Sequence, residues 1–281
     1  MDSKVFIAVL LAAAMHAGWN AMLKVELDRL RSMLLLTFAM SGFGIAMLAV
    51  VDWPAAPALP YVIASAIIHS GYKLVLVKAY QMGDLSQVYP LARGTAPLLT
   101  TLAAFYFVGE TLSPLMLAGV GMILSGIYVL GIHGGHRSAA MNRPAVVFAL
   151  GTSLFITAYT IVDGLGVRLS QSAAGYTAAT FVGDGVLFSA IVLSWRGRTV
   201  LHGLGANWHK GAIAGGLSFG SYWVALWAMT AAPIAAVAAL RETSILFALM
   251  LGSLWLKETM TPQRIAAAVL IVAGAGALRY G

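Results

Sequence analysis

The chain has no cysteine, only ten acidic residues, and charged side chains at 10% of its 281 positions. Without cysteine there is no disulfide, no thiol nucleophile and no thiolate metal site, while the redox compartment stays open. It also has no run of lysines or arginines. The formal charge of +7 is scattered singly through short connections, a pattern of membrane-flanking charge rather than of a nucleic-acid surface. Equally absent are His-Glu-x-x-His, Gly-x-Ser-x-Gly and any group of acids at metal-ligand spacing. That leaves an intramembrane enzyme without a catalytic constellation, so the expectation is no enzyme, no metal and no cofactor.

What the chain does have is apolar surface. Hydrophobic residues make up 60% of it and the mean hydropathy is +0.87. Too little polar surface remains to cover a soluble globule of this size, so lipid must solvate much of the exterior. At about 20 residues per span, the sequence predicts ten hydrophobic helices: 5 to 24, 32 to 51, 59 to 83, 85 to 108, 114 to 133, 144 to 166, 175 to 195, 209 to 230, 233 to 256 and 261 to 279. Breaks fall at Pro54, Pro57 and Pro60, at Gly83-Asp84, at Ser113-Pro114, between His133 and Arg143, between Arg196 and His209, at Pro233 and at Pro262. No connection has room for a soluble domain. The first segment is long enough to span and lacks a small-residue cleavage site, so it reads as a helix rather than a signal peptide.

The chain also repeats. Residues 93 to 126, from Arg93 through Gly109-Glu110-Thr111-Leu112 to Gly126, return 148 positions later as Arg241 through Lys257-Glu258-Thr259-Met260 to Gly274. Ten spans with that offset divide into five and five, and an odd number per half turns the second half over. The expected architecture is all-α and membrane-integral, with ten transmembrane helices as two inverted five-helix repeats, residues 1–136 and 137–281, in one membrane domain. A site belongs between the halves. An uninterrupted channel does not suit such a repeat. Both termini share an end that carries Lys4, Arg168 and Arg279; the other end carries Lys24, Arg29, Arg31, Arg137, Arg143, Arg196, Arg198, Lys210, Lys257 and Arg264. The positive-inside rule then puts the termini outside the cytoplasm.

Polar side chains inside spans each cost roughly 2.5–3.5 kcal/mol on insertion scales, so they face a partner or a wet cavity. His16, Trp19 and Asn20 share one face of the first helix, as a packing stripe or a cavity wall. His69, Tyr72 and Lys73 share a face of the third, where Lys73 is too deep to snorkel and requires an anion or a lowered pKa. Arg93 and Arg241 occupy equivalent depths in the two halves. There they could grip a carboxylate, phosphate or phosphonate, or instead bind backbone carbonyls or an acid such as Glu242 or Asp84. Tyr89 and Tyr159 could line the same opening. Asp184 at mid-span, Asp163 near the end of its span, Glu242 and His69 are candidates for neutralising an amine or carrying a proton, with a structural pair to a buried base as the alternative for Asp184. Trp223 could stack on a substrate or simply face lipid with Trp227. Glu110 and Glu258 stand at the membrane boundary, where pairing and capping of helix ends is the expected role.

The Gly-Glu-x-Leu/Met boundary and the glycine-spaced fifth and tenth helices resemble the EamA-type branch of the drug/metabolite transporter superfamily, over essentially the whole chain. His16-Ala17-Gly18-Trp19-Asn20-Ala21, the stretch Gly83 to Pro97, and Tyr159-Thr160-x-x-Asp163-Gly164-x-Gly166-Val167-Arg168 look like a subgroup of phosphonate-utilisation-associated permeases. The resemblance implies ten helices, a central cavity, export of small metabolites and cytoplasmic termini, opposite to the charge count. The expected protein is a multi-pass secondary transporter of the bacterial inner membrane, monomer or dimer. Its partners would be membrane lipid and a small zwitterionic or anionic metabolite such as an amino acid or aminophosphonate. Arg93, Arg241 and Lys73 would hold the anionic group. The competing reading is efflux of cationic or aromatic drugs, disfavoured by three deep bases against one central acid.

Overall fold

The computed structural model describes residues 1–22, 29–82, 85–133, 143–255 and 260–281, without the side chains of 85–87, 89, 90, 254 and 255. Lys24, Asp84 and Glu258 lie outside the described residues, as does the side chain of Tyr89. Eleven α-helices and no strand occur among the described residues: α1 Ser3–Met22, α2 Arg29–Leu48, α3 Leu59–Met82, α4 Leu85–Ala103, α5 Pro114–His133, α6 Arg143–Leu169, α7 Ala173–Arg196, α8 Trp208–Met229, α9 Ile234–Arg241, α10 Ser244–Trp255 and α11 Pro262–Tyr280. Nine helical stretches among them are long and apolar enough to cross a membrane, and the ninth, Ile234–Ser253, runs through both α9 and α10. The segment expected as one helix from 233 to 256 is therefore interrupted, by a turn at Glu242–Thr243. Helix α11, which opens on Pro262-Gln263-Arg264, is not among the nine.

The helices are apolar outside and polar within. Ile7, Leu11, Ile63, Ile67, Val147, Leu154, Val186, Val269 and Val272 are exposed at mid-helix, whereas Thr37, Ser65, Ser70, Thr100, Thr152, Ser153, Thr180 and Ser221 are buried. This is the distribution of a protein whose outer solvent is lipid and whose helices associate through hydroxyls and small residues. Ser153 donates to the Ala92 carbonyl at 2.9 Å and Thr157 to that of Ala96 at 3.3 Å, fastening α6 to α4 around Pro97. Ser221 on α8 donates to the Ala12 carbonyl of α1 at 2.7 Å.

Helices α5 and α11 pack along each other on glycines. A Cβ at Gly119 would lie 2.8 Å from the Gly274 carbonyl oxygen, one at Gly274 would lie 2.6 Å from that of Gly119, and one at Gly126 would lie 2.9 Å from that of Ala267. No side chain fits at these crossings, which is how two backbones approach in lipid. Around them α3 packs on α6 and α7, α1 on α8 and α10, α2 on α7 and α8, and α4 on α5, α6 and α9.

The end bearing the termini is tied together. Ala55 N–H donates to the Ser170 carbonyl at 3.0 Å, and the terminal amine of Met1 donates to the Arg279 carbonyl at 3.0 Å while the Arg279 guanidinium bonds back to the Met1 carbonyl. Arg168, in the last turn of α6, donates to the carbonyls of Met229 (2.9 Å) and Ala232 (3.1 Å) and to Glu110 (2.6 Å). Glu110 in turn accepts the first N–H groups of α9, from Ile234 at 3.0 Å and Ala235 at 3.4 Å. The boundary role expected of Glu110 is thus filled across the bundle: Pro233 supplies no side-chain cap, and an acid from the α4–α5 connection does.

Candidate functional site

Arg241 and Glu242 stand side by side at the turn between α9 and α10, so both side chains reach the interior at one level. Glu242 pairs with Arg93 of α4 at 2.9 Å, and both partners lie inside the bundle, with Arg93 8% and Glu242 6% exposed. Arg241 has no ion pair among the described residues; its guanidinium lies over the ring of Tyr222, 5.2 Å from the centroid. The charges of Arg93 and Arg241 both act on His16, Tyr159 and Glu242, which places these five groups in one electrostatic neighbourhood.

Hydrogen-bonding capacity in that neighbourhood is left over. Arg241 Nε, Glu242 Oε2 and Trp19 Nε1 are buried without a hydrogen-bond partner among the described residues. Buried polar atoms are nearly always satisfied, so the excess donor and the excess acceptor on adjacent residues Arg241 and Glu242 call for a ligand or water to complete them. Trp19 meets His16 edge to face at 5.1 Å.

An aromatic wall continues from Tyr222. His69 of α3 stacks on Tyr159 of α6 (centroids 4.2 Å) and meets Tyr222 (5.4 Å) and Phe181 of α7 (5.7 Å) edge-on, and Tyr72 packs edge-on against Tyr159 at 5.5 Å. Behind it lies Asp163, fully buried. It accepts from the hydroxyls of Tyr176 (2.9 Å) and Tyr222 and lies 3.2 Å from His69 Nε2. Asp163 lies in the last two turns of α6, which ends at Leu169, and is fully enclosed there.

Lys73 and Asp184 form a separate pair between α3 and α7. The ammonium also donates to Thr37 Oγ1 of α2 at 2.7 Å, Ser70 donates to the other oxygen of Asp184 at 3.0 Å, and the Phe188 ring centroid is 4.9 Å from Lys73 Nζ. The anion that a deep lysine requires is therefore supplied by the chain, and Asp184 is paired with a buried base. Asn20 spends its amide on the His16 carbonyl of its own helix at 2.9 Å. Trp223 stands with Trp227 on the exposed face of α8, not with Tyr222.

Of the expected residues, the structure brings together His16, Trp19, Arg93, Tyr159, Arg241 and Glu242, and through Tyr222 also His69, Tyr72 and Asp163. Sequence reasoning missed Tyr176, Phe181 and the pivotal part of Tyr222. Nothing in local spacing links Tyr176 to Asp163; only the packing of α7 against α6 does. Among the described residues no group of three His, Cys, Asp or Glu side chains could hold a metal ion.

An apolar helical bundle with a charged, aromatic and incompletely bonded interior defines a polytopic membrane protein built to handle a solute. The family profile described as "EamA-like transporter family" matches residues 3–132 and 143–280. The chain belongs to that family, whose members are transporters and not enzymes. A solved crystal structure of another protein superimposes with a TM-score of 0.76 at 20% identity, over 98% of this chain and 95% of that one, a likeness of fold. A search of curated proteins finds no match.

Proposed function

We propose that the protein is a secondary active transporter that carries a small zwitterionic metabolite, of the amino acid or aminophosphonate class, out across the bacterial inner membrane by alternating access. The observation that carries the substrate class is the open valence at Arg241 and Glu242. A carboxylate or phosphonate would bond to the Arg241 guanidinium in bidentate fashion, and an ammonium would bond to Glu242 Oε2, the oxygen that Arg93 leaves over. Trp19 and His16 would close one side and the Tyr159–Tyr222 wall the other. His69 with Asp163, one hydroxyl away from the ring under Arg241, is the better placed of the proton-carrying candidates; Lys73 and Asp184 join helices instead.

The chain is proposed to cross the membrane ten times, with α11 as the last span, in two inverted halves covering 1–136 and 137–281. Three features support this. The family profile matches in two stretches of similar length. Helix α3 packs on α6 as α8 packs on α1. The approach of Gly119 to Gly274, shifted by 148 positions in opposite senses, becomes the approach of Ala267 to Gly126, and that contact also occurs. A two-fold relation between halves requires this correspondence.

Thermal unfolding of the detergent-purified protein against amino acids, aminophosphonates, sugar phosphates and cationic drugs tests the proposal. A ligand that binds only the folded state adds about 2.7 kcal/mol of stability at a hundred times its Kd. Stabilisation by a zwitterion, absent in Arg241→Gln, is the expected result. Stabilisation by cations alone would overturn it and make drug efflux the function.

A further inference from the structure

Away from the central site, the charged end of the bundle holds a groove of about 360 Å³ between α2, α3 and α7, lined among others by Leu30, Leu74, Val77, Lys78, Ile191 and Arg196. Leu30 and Val77 form its floor, as part of a small hydrophobic cluster with Leu34, Phe188 and Val192. The rim is different in kind. Lys78 and Arg196 stand there without an ion-pair partner among the described residues, and the Arg196 guanidinium lies 4.6 Å from the Trp195 ring centroid. All three helices begin or end at this level, at Arg29, Met82 and Arg196. The groove is therefore at the boundary between hydrocarbon and water, where a tryptophan belongs. Ser194 turns its hydroxyl back to the Ile191 carbonyl at 2.9 Å, which leaves the two cations as the dominant polar feature.

We propose that this groove is a binding site for an anionic phospholipid, with the phosphodiester between Lys78 and Arg196 and the upper acyl chain on Leu30, Leu74, Val77 and Ile191. Three observations converge. The floor is apolar and lies between the ends of three helices, and a soluble anion would gain nothing from it. The rim is cationic, with no acid among its described lining residues. Most of the described arginines and lysines stand at the same end, so anionic headgroups accumulate there before any one is bound. Basic pockets between transmembrane helices select anionic headgroups, and a basic residue near the surface is worth roughly a fivefold factor in binding.

The experiment is native mass spectrometry of the full chain released from mixed micelles holding phosphatidylglycerol and phosphatidylcholine of identical chains. The wild type should retain one phosphatidylglycerol in preference to phosphatidylcholine. Lys78→Gln/Arg196→Gln should lower that preference about 25-fold, two fivefold factors. Leu74→Trp, which fills the groove and keeps both charges, should also remove it, and Arg143→Gln/Arg264→Gln, at the same end but outside the groove, should not. Equal retention of the two lipids would overturn the site. So would equal losses in the groove and control variants, which would mean diffuse surface attraction. A dimer peak lost only in Leu74→Trp would assign the groove to a second copy of the chain and also overturn the proposal. Melting temperatures of the variants, compared in lipid-free detergent, separate lost binding from lost folding.

Discussion

Arg93 and Arg241 look equivalent in the sequence, but the structure gives them different surroundings, and substitutions should separate them. Removing the charge of Arg93 leaves Glu242 buried without its partner, at a cost of about 3–5 kcal/mol. Arg93→Gln should therefore melt well below wild type, and Arg93→Gln/Glu242→Gln should recover most of the loss. Arg241→Gln breaks no ion pair, so its melting curve without ligand should stay close to wild type while the shift given by the zwitterionic ligand disappears. If Arg241→Gln unfolds and Arg93→Gln does not, the assignment of roles is reversed. Lys73 answers a third way. Its charge is consumed by Asp184, and a buried pair replaced by apolar groups of similar size is often neutral or stabilising by about 1–4 kcal/mol. Lys73→Met/Asp184→Leu should fold and bind ligand, and loss of ligand binding in this variant would restore Lys73 to the site. The sequence showed that these residues were deep and needed partners. It could not show which partner each would take, because Arg93–Glu242 and Lys73–Asp184 join residues more than a hundred positions apart, and several buried acids compete for the bases.

At the scale of elements the sequence was most informative, since about 20 consecutive apolar residues have few alternatives to a helix in lipid. Proline and glycine punctuation marked most ends. The turn at Glu242–Thr243 escaped because Leu240-Arg241-Glu242-Thr243-Ser244 contains neither residue. The capping of α9 by Glu110 was half legible: its boundary position was visible, its target was not. Glu110→Gln should lower stability by about 1 kcal/mol, as loss of a charged helix cap does, and Arg168→Gln by a similar amount or more because two carbonyls also lose their donor. Urea or thermal melts of the single and double variants would test this. A double-variant loss equal to the sum of the two would show that the residues act separately. Glycines give a sharper contrast. Gly119→Ala pushes a methyl into the Gly274 carbonyl and should cost about 1–3 kcal/mol, whereas Gly121→Ala meets nothing within 4 Å and should be neutral.

For the whole molecule, the hydropathy of the chain already required lipid as the outer solvent, and the internal repeat made a two-half architecture the simplest reading. What remained out of reach was the placement of the chemistry. Side chains from α1, α4, α6, α8 and α9 meet at the arginine cluster, and no helix alone carries more than a fragment of it. Composition can count three deep bases and one central acid, yet the balance that matters is local. One of those bases is neutralised by that acid, and Glu242, read as ambiguous, takes up another.

The α5–α11 crossing also bears on how such a chain can be assembled. The Gly119–Gly274 and Gly126–Ala267 approaches exchange under the 148-residue shift, so if the chain is built of the two proposed halves, the surface one half offers is the surface the other needs. A connecting segment between α5 and α6 is then a convenience of synthesis rather than a condition of pairing. Fragments 1–136 and 137–281, made as separate polypeptides in one cell, should find each other and copurify as a heterodimer, and Gly119→Leu in the first fragment should abolish the pairing. The same self-matching surface would let a lone half dimerise with its own copy, the arrangement from which a duplicated gene could have grown.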